Sequence, residues 1–119
     1  MVRPVLLLAV LLALTCRAYA ASELALELPV GEPAKAYDLG SKSERVLRPG
    51  SAQYRELARW VSNHRRGWSQ YYATPPALGI IVRAGALDLQ FIGEKVLAHT
   101  SSGAFEKPTT PAEYAFLKE

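Results

Sequence analysis

The sequence predicts an α+β fold in which a central amphipathic helix packs on an antiparallel β-meander of about four strands, with an extra N-terminal strand or hairpin and a short C-terminal helix. Two observations support this class. Residues 51–66 repeat apolar side chains at helical spacing, and residues 78–107 divide into short runs separated by glycine-containing turns. A helix and a sheet that are each apolar on one side bury those sides by packing together.

The central helix has recognisable ends in the sequence. Ser51 follows Pro-Gly and is a good N-cap, because its hydroxyl can accept an amide proton that the first turn leaves unpaired. Gly67 suits the left-handed position after the helix, and Arg65 and Arg66 favour its negative end. The predicted buried arc contains Tyr54, Leu57, Ala58, Trp60 and Val61. The opposite side of the helix is therefore expected to face solvent.

The meander is predicted from four runs at residues 78–83, 86–92, 95–100 and 104–107. The second run alternates clearly, so that Leu87, Leu89 and Phe91 share the core face while Asp88 and Gln90 point outward. Short turns between consecutive runs favour antiparallel neighbours.

The last residues predict a short helix. Thr110 and Glu113 have the spacing of a capping box, and Pro111 occupies the first helical position, where proline is favoured. A helix over residues 111–117 would pack Tyr114, Phe116 or Leu117.

The segment before the central helix is less regular. Leu24, Leu26 and Leu28 alternate with polar or small residues, which predicts a half-buried strand, although the same residues could open a short helix. Residues 34–48 predict a hairpin, with one strand around Tyr37 and another around Val46, separated by a polar turn at residues 40–43.

The chain begins with the pattern of a signal peptide. Arg3 precedes an apolar run, and Ala18-Tyr19-Ala20 matches the small-x-small cleavage pattern. We therefore expect residues 1–20 to be removed and residues 21–119 to form one small globular domain. The run is short for a membrane helix, which needs about 20 apolar residues. The alternative use of Cys16 is lipidation, but the residues before it have the wrong order for a good lipobox.

Cleavage would change the bulk properties of the chain. The net charge of +3 falls to +1 when Arg3 and Arg17 are removed, which does not favour a general nucleic-acid binder. Loss of Cys16 leaves no cysteine for a disulfide or a cysteine zinc site. The stability of the domain must therefore come from packing.

No catalytic, metal or cofactor motif accompanies these elements. His64 and His99 are the only histidines, and they lack the spacing of a His-x-x-x-His or His-Glu-x-x-His site. Glu23, Glu27 and Asp88 are best explained as solvated surface carboxylates. Neither a Gly-x-Ser-x-Gly nucleophile elbow nor a glycine-rich phosphate loop occurs. The sequence therefore predicts a protein that is not an enzyme and has no metal or cofactor.

Arginine and aromatic residues give the candidate binding surface. Arginine suits carboxylates, phosphates and aromatic faces, and interface hot spots favour tryptophan, tyrosine and arginine. The predicted partner-binding residues are Arg55, Arg59, Arg66, Trp68, Tyr71 and Tyr72. A structural explanation competes with this one, because any helix carries charge opposite its buried side and large aromatics also fill cores.

We therefore predict an exported, periplasmic or secreted, binding protein that acts on a protein partner, as an inhibitor or immunity-type factor. A first alternative is a binder of anionic envelope polymer or lipid. A second is a small enzyme whose residues converge only in space, for which a cleft holding His99 with Asp88 or a glutamate would be the sign.

Overall fold

The computed structural model describes residues 23–118, and the predicted signal peptide lies outside them. The strands are β1 (Ala34–Asp38), β2 (Ser43–Leu47), β3 (Ser69–Gln70), β4 (Ile80–Ala84), β5 (Leu87–Ile92), β6 (Lys95–Thr100) and β7 (Gly103–Pro108). Helix α1 spans Ala52–Asn63, and a C-terminal 3₁₀ helix spans Pro111–Lys118. The predicted α+β class is confirmed.

Within residues 23–118, seven strands form one antiparallel sheet with the order β2-β1-β4-β5-β6-β7-β3. The four predicted strands of the meander are β4 to β7, which are neighbours in sequence and in the sheet. The meander is only part of the sheet, however. The β1–β2 hairpin extends it beyond β4, and the two-residue strand β3 extends it beyond β7.

The core lies between α1 and one face of the sheet, here called the helix face. Trp60 of α1 meets Phe91 of β5 with ring centroids 4.9 Å apart and near-perpendicular rings. Tyr114 of the 3₁₀ helix contacts the same phenylalanine at 4.9 Å. Fully buried Leu57, Trp68 and Leu89 complete the centre of this core. The opposite side of the sheet is called the outer face.

Helix α1 begins as predicted and ends earlier. The Ser51 hydroxyl accepts from the Tyr54 amide at 3.1 Å, which confirms the N-cap. The helix stops at Asn63 rather than Arg66, because the ring of His64 turns back and its Nδ1 contacts the Trp60 carbonyl at 2.6 Å. In a continuing helix that carbonyl would accept from the amide of His64. Gly67 has the expected positive φ of 86°, but Ala58 is exposed rather than buried.

Residues 23–28 do not join the sheet and form no regular element. The predicted alternation is correct, since Leu24 and Leu26 are buried and the residues between them are exposed. Their backbone is hydrogen-bonded to the residues just after α1, where the Leu24 amide donates to the Arg65 carbonyl at 2.7 Å. The segment therefore closes the core beside the helix end without forming a strand.

The connection from β3 to β4, residues 71–79, crosses the outer face and is here called the crossover segment. It must pass β7, β6 and β5, because β3 lies at one edge of the sheet and β4 lies on the far side of those strands. Lys95 of β6 lies 5.6 Å from the Tyr71 ring centroid, and Gln90 of β5 bonds to two carbonyls further along. Leu97 of β6 is fully buried beneath this covering.

The C-terminal helix is present, but it is a 3₁₀ helix with a kink at Tyr114. Its first turn is held by Thr109 rather than by the Thr110 side chain. The Thr109 hydroxyl donates to Glu113 Oε2 at 2.9 Å, and the Glu113 amide donates to the Thr110 carbonyl at 3.0 Å. Tyr114 and Leu117 are buried and Phe116 is partly buried.

Candidate functional site

The predicted arginines lie at the surface. Arg55 and Arg59 are on the exposed side of α1, and Arg66 follows the helix with a side chain 86% exposed. Arg59 pairs with Glu56 at 3.1 Å, and Arg66 Nε lies 3.8 Å from Glu23 Oε2. Both ion pairs are solvent-exposed, and such pairs contribute little to stability. These guanidinium groups are therefore accessible to an anionic partner.

The neighbouring Arg65 has a structural contact instead. Its Nε donates to the Leu26 carbonyl at 3.1 Å, while its own carbonyl accepts from the Leu24 amide. On the other side of the helix end, Lys107 Nζ donates to the Arg66 carbonyl. These contacts fix the backbone that presents Arg66.

Trp68 belongs to the core and cannot contribute to an exposed surface in this fold. Its side chain is 0% exposed, and its Nε1 donates to the His64 carbonyl at 2.5 Å. Its ring also meets Trp60 edge-on, with centroids 6.5 Å apart. The prediction of a partner-binding role for Trp68 is corrected accordingly, because a small domain without cysteines uses its largest apolar side chains for packing.

Tyr71 and Tyr72 begin the crossover segment and differ in exposure, as expected for adjacent residues of an extended chain. Tyr71 is partly buried on the outer face below Lys95, and its amide donates to the Ala104 carbonyl at 2.9 Å. Tyr72 is 85% exposed, and its hydroxyl donates to Gln70 Oε1 at 3.0 Å. The helix arginines and Tyr71 thus lie on opposite sides of the sheet.

The crossover segment is itself the most distinctive surface feature. Residues 71–79 contain no charged side chain, and residues 72–78 are all exposed. Two prolines restrict the backbone, and the buried Gln90 amide donates to the carbonyls of Pro76 at 2.7 Å and Leu78 at 2.9 Å. An uncharged, exposed segment is therefore anchored to the sheet at Pro76 and Leu78.

Further apolar side chains of the outer face are also exposed. Leu78, within the crossover segment, is 59% exposed, and Tyr37 on β1 and Val46 on β2 are exposed as well. These exposed residues could not be predicted, because the local pattern of β1 and β2 does not show which side of each strand is covered. Gln90 was predicted to point outward, and it does leave the core, but the crossover segment buries it.

His64 has a structural environment. Its ring stacks on Trp60 with centroids 4.1 Å apart and a 9° angle between the planes. Its Nε2 lies 3.2 Å from Glu113 Oε2, which also accepts from Thr109. These contacts join the end of α1 to the C-terminal 3₁₀ helix.

His99 lies in a cleft of about 460 Å³ between residues 23–27 and the ends of β5 and β6. The cleft also contains Glu23, Glu27 and the hydroxyl-bearing turn at residues 100–102. Thr100 and Ser102 hydrogen-bond to each other at 3.0 Å, which occupies them in the turn. Asp88 does not line this cleft, and its Oδ2 lies 3.4 Å from Arg83 Nε on the outer face.

Residues 23–118 contain no group of three or more histidine, cysteine, aspartate or glutamate side chains arranged to hold a metal ion. Over the same residues, no helix combines the length and the apolar character needed to cross a bilayer.

Comparison of the chain with protein-family models, with curated proteins and with solved structures gave no match.

Proposed function

We propose that this is an exported, non-enzymatic binding protein that recognises a protein partner, as an inhibitor or immunity-type factor, with the crossover segment as its main contact. The observation that supports this most is the pair of hydrogen bonds from buried Gln90 to the carbonyls of Pro76 and Leu78. They hold an exposed and uncharged segment in place. Export follows from the signal-peptide pattern of residues 1–20.

A fixed segment is suited to recognition because little conformational entropy is lost when it binds. Tyr72 and Leu78 provide large exposed apolar side chains near its two ends. Pro75 and Pro76 lie between them, and proline-rich extended chains dock in grooves lined with aromatic side chains. The expected partner therefore offers an apolar groove.

The arginines give a second contact with a different chemistry. Arg55 and Arg59 project from the other side of the molecule, and Arg66 lies at the helix end. An acidic partner, or an anionic envelope polymer or lipid, would engage them, and such binding would weaken steeply as salt is added. The two surfaces can be tested separately.

The first experiment is an affinity capture from envelope extract with immobilised mature protein, residues 21–119. Any retained protein is then purified and its Kd measured directly. A Tyr72→Ser, Leu78→Ser double variant is expected to weaken that Kd by more than about tenfold, since two exposed anchors are lost. The matched control is Val30→Ser, which removes an apolar side chain that is 99% exposed and remote in sequence from the crossover segment.

A triple variant with glutamate at Arg55, Arg59 and Arg66 separates the two contacts. If the triple variant loses the partner while the Tyr72→Ser, Leu78→Ser variant retains it, the arginine side of the molecule is the interface. The crossover proposal is then wrong. If no protein is retained but anionic vesicles bind in a salt-dependent way, the alternative of an envelope polymer or lipid binder replaces it.

The cleft around His99 favours one further candidate, a small hydrolytic enzyme. It brings an imidazole together with Glu23 and Glu27, which are the residue types used in general acid–base catalysis. The test is turnover of a panel of ester and glycoside substrates by the purified mature protein, compared with His99→Gln. Activity that disappears in the variant would support the enzyme, and equal background rates would exclude it for these substrate classes.

A further inference from the structure

We propose that a second pocket, beside Arg45 at the edge of the sheet, binds a small oxyanion. The pocket has a volume of about 190 Å³ and lies between the β1–β2 hairpin and the end of the C-terminal 3₁₀ helix. This site is separate from the crossover segment and does not depend on the function proposed above.

Arg45 is held in place from both ends. Its Cα is paired with Ala36, which is buried in the core, so the Arg45 side chain starts on the helix face. At the far end, Nη2 donates to the Lys118 carbonyl at 2.6 Å. This contact anchors the guanidinium group beside the pocket.

Arg45 Nη1 is buried and has no hydrogen-bond acceptor within residues 23–118. A buried donor without a partner is unfavourable by about 1–3 kcal/mol, and more when the group is charged. Native proteins therefore pair nearly all such donors. An acceptor in the adjoining pocket would satisfy this nitrogen.

The rest of the pocket supplies donors that suit an anion. Ser41 and Ser43 place their hydroxyl oxygens 2.6 Å apart at one wall, and Lys118 lies at another. Among the described residues, Asp38 is the single carboxylate of the lining, and its Oδ1 already accepts from the amides of Gly40 and Ser41. Within residues 23–118, the lining therefore has two cationic residues and one carboxylate.

The ligand chemistry follows from these groups. A guanidinium fork recognises the oxygens of phosphate, sulfate or carboxylate, and hydroxyl groups add further donors to them. A pocket of this volume has room for one small oxyanion together with a few water molecules. A tetrahedral oxyanion and a carboxylate are distinguished by experiment.

The test is a titration of ¹⁵N-labelled mature protein with inorganic phosphate and, separately, with acetate, followed by NMR at constant ionic strength. We expect saturable shifts confined to Ser41, Ser43, Arg45 and residues 117–118. A stronger response to phosphate identifies a tetrahedral oxyanion, and a stronger response to acetate identifies a carboxylate. The absence of saturable shifts with both anions overturns the proposal.

Matched variants link the response to the pocket. Arg45→Gln is expected to weaken binding by about tenfold or more, because a charge-assisted hydrogen bond is lost. Arg48→Gln, at an exposed arginine just after β2, should leave the affinity unchanged. Ser43→Ala alters an exposed residue beside the turn. It provides a second affinity measurement on the pocket if Arg45→Gln fails to fold. Unchanged affinity in both pocket variants also overturns the proposal.

Discussion

The side-chain amide of Gln90 donates to the backbone carbonyl of Pro76 at 2.7 Å, from a strand that the crossover segment covers. The same Nε2 donates to the Leu78 carbonyl at 2.9 Å. One buried polar side chain on the outer face therefore satisfies two carbonyls of a segment that has no strand partner along residues 72–78. The conformation of the proposed contact segment depends on this residue.

Replacing Gln90 with leucine should release the crossover segment while keeping the buried volume. We expect a loss of about 1–3 kcal/mol in the free energy of unfolding, because the two carbonyls lose a shared donor. Limited proteolysis should then cut within residues 72–78 faster than in the parent protein. Gln70→Ala is the control, since Gln70 is exposed and its only side-chain hydrogen bond among the described residues is the one from the Tyr72 hydroxyl. Equal cleavage rates for Gln90→Leu and the parent would contradict the anchoring role.

Gly79 ends the crossover segment and tolerates no side chain. Its φ is +84°, and a Cβ built there would lie 1.9 Å from the Phe91 carbonyl oxygen, which belongs to the backbone of β5. Gly79→Ala is therefore expected to destabilise the protein by more than about 3 kcal/mol, since both left-handed strain and a backbone clash must be relieved.

Gly31→Ala is the matched comparison for Gly79→Ala. Gly31 has a similar φ of +76°, but a Cβ there meets no atom within 4 Å. This variant should show only the strain of the left-handed conformation, about 1 kcal/mol. Urea unfolding followed by circular dichroism measures both variants. Similar losses of unfolding free energy in the two variants would show that the close approach of Gly79 to the Phe91 carbonyl adds nothing to the cost of a side chain.

Much of the fold could be predicted from local patterns. The alternation of Leu87, Leu89 and Phe91 identified the core face of β5, and Ser51 identified the start of α1. These signals are local, because a strand's period of two and a helix cap are determined by residues close together in sequence. The pairing of β3 with β7 and the route of the crossover segment depend on contacts between distant residues. No local pattern specifies such contacts.

The candidate site was less predictable than the fold for the same reason. Arg55 and Arg59 were expected at the surface and lie there, since opposite sides of a helix follow from its period. Trp68 and Tyr72 cannot be told apart by their sequence context, since each is a large aromatic residue near an arginine. Trp68 is nevertheless buried and Tyr72 is exposed. Only the fold of the helix end, where Trp68 Nε1 meets the His64 carbonyl, separates them.

Substitutions at Trp68 test its assignment to the core. Trp68→Ala should lower the free energy of unfolding by about 3–5 kcal/mol, the range for removing a buried aromatic. Trp68→Phe retains most of the apolar contact but removes the donor to His64, so a smaller loss of about 1–3 kcal/mol is expected. Tyr72→Ala, at an exposed aromatic, is expected to change the stability by less than about 0.5 kcal/mol. If the Trp68→Ala protein is as stable as the parent, the assignment of Trp68 to the core is wrong, and Trp68 is again a candidate partner-binding residue.

Tyr114 gives the domain a specific sensitivity to alkaline pH. Its hydroxyl donates to the Gly93 carbonyl at 2.7 Å, and burial raises its pKa above the ordinary value of 10.0. The folded protein therefore keeps this proton at a pH where the unfolded chain releases it. The contribution of the phenol to stability is complete below pH 10 and is lost as the pH rises through the raised pKa.

Tyr114→Phe isolates this effect, because it removes the titrating group and keeps the ring against Phe91. At pH 7 the parent should be more stable than the variant by about 1 kcal/mol, the typical contribution of one hydrogen bond. From pH 9 to pH 11.5 that difference should shrink, as measured by urea unfolding at each pH. A difference that stays constant over this range would show that the Tyr114 hydroxyl does not retain its proton in the folded state, and that alkaline destabilisation has another origin.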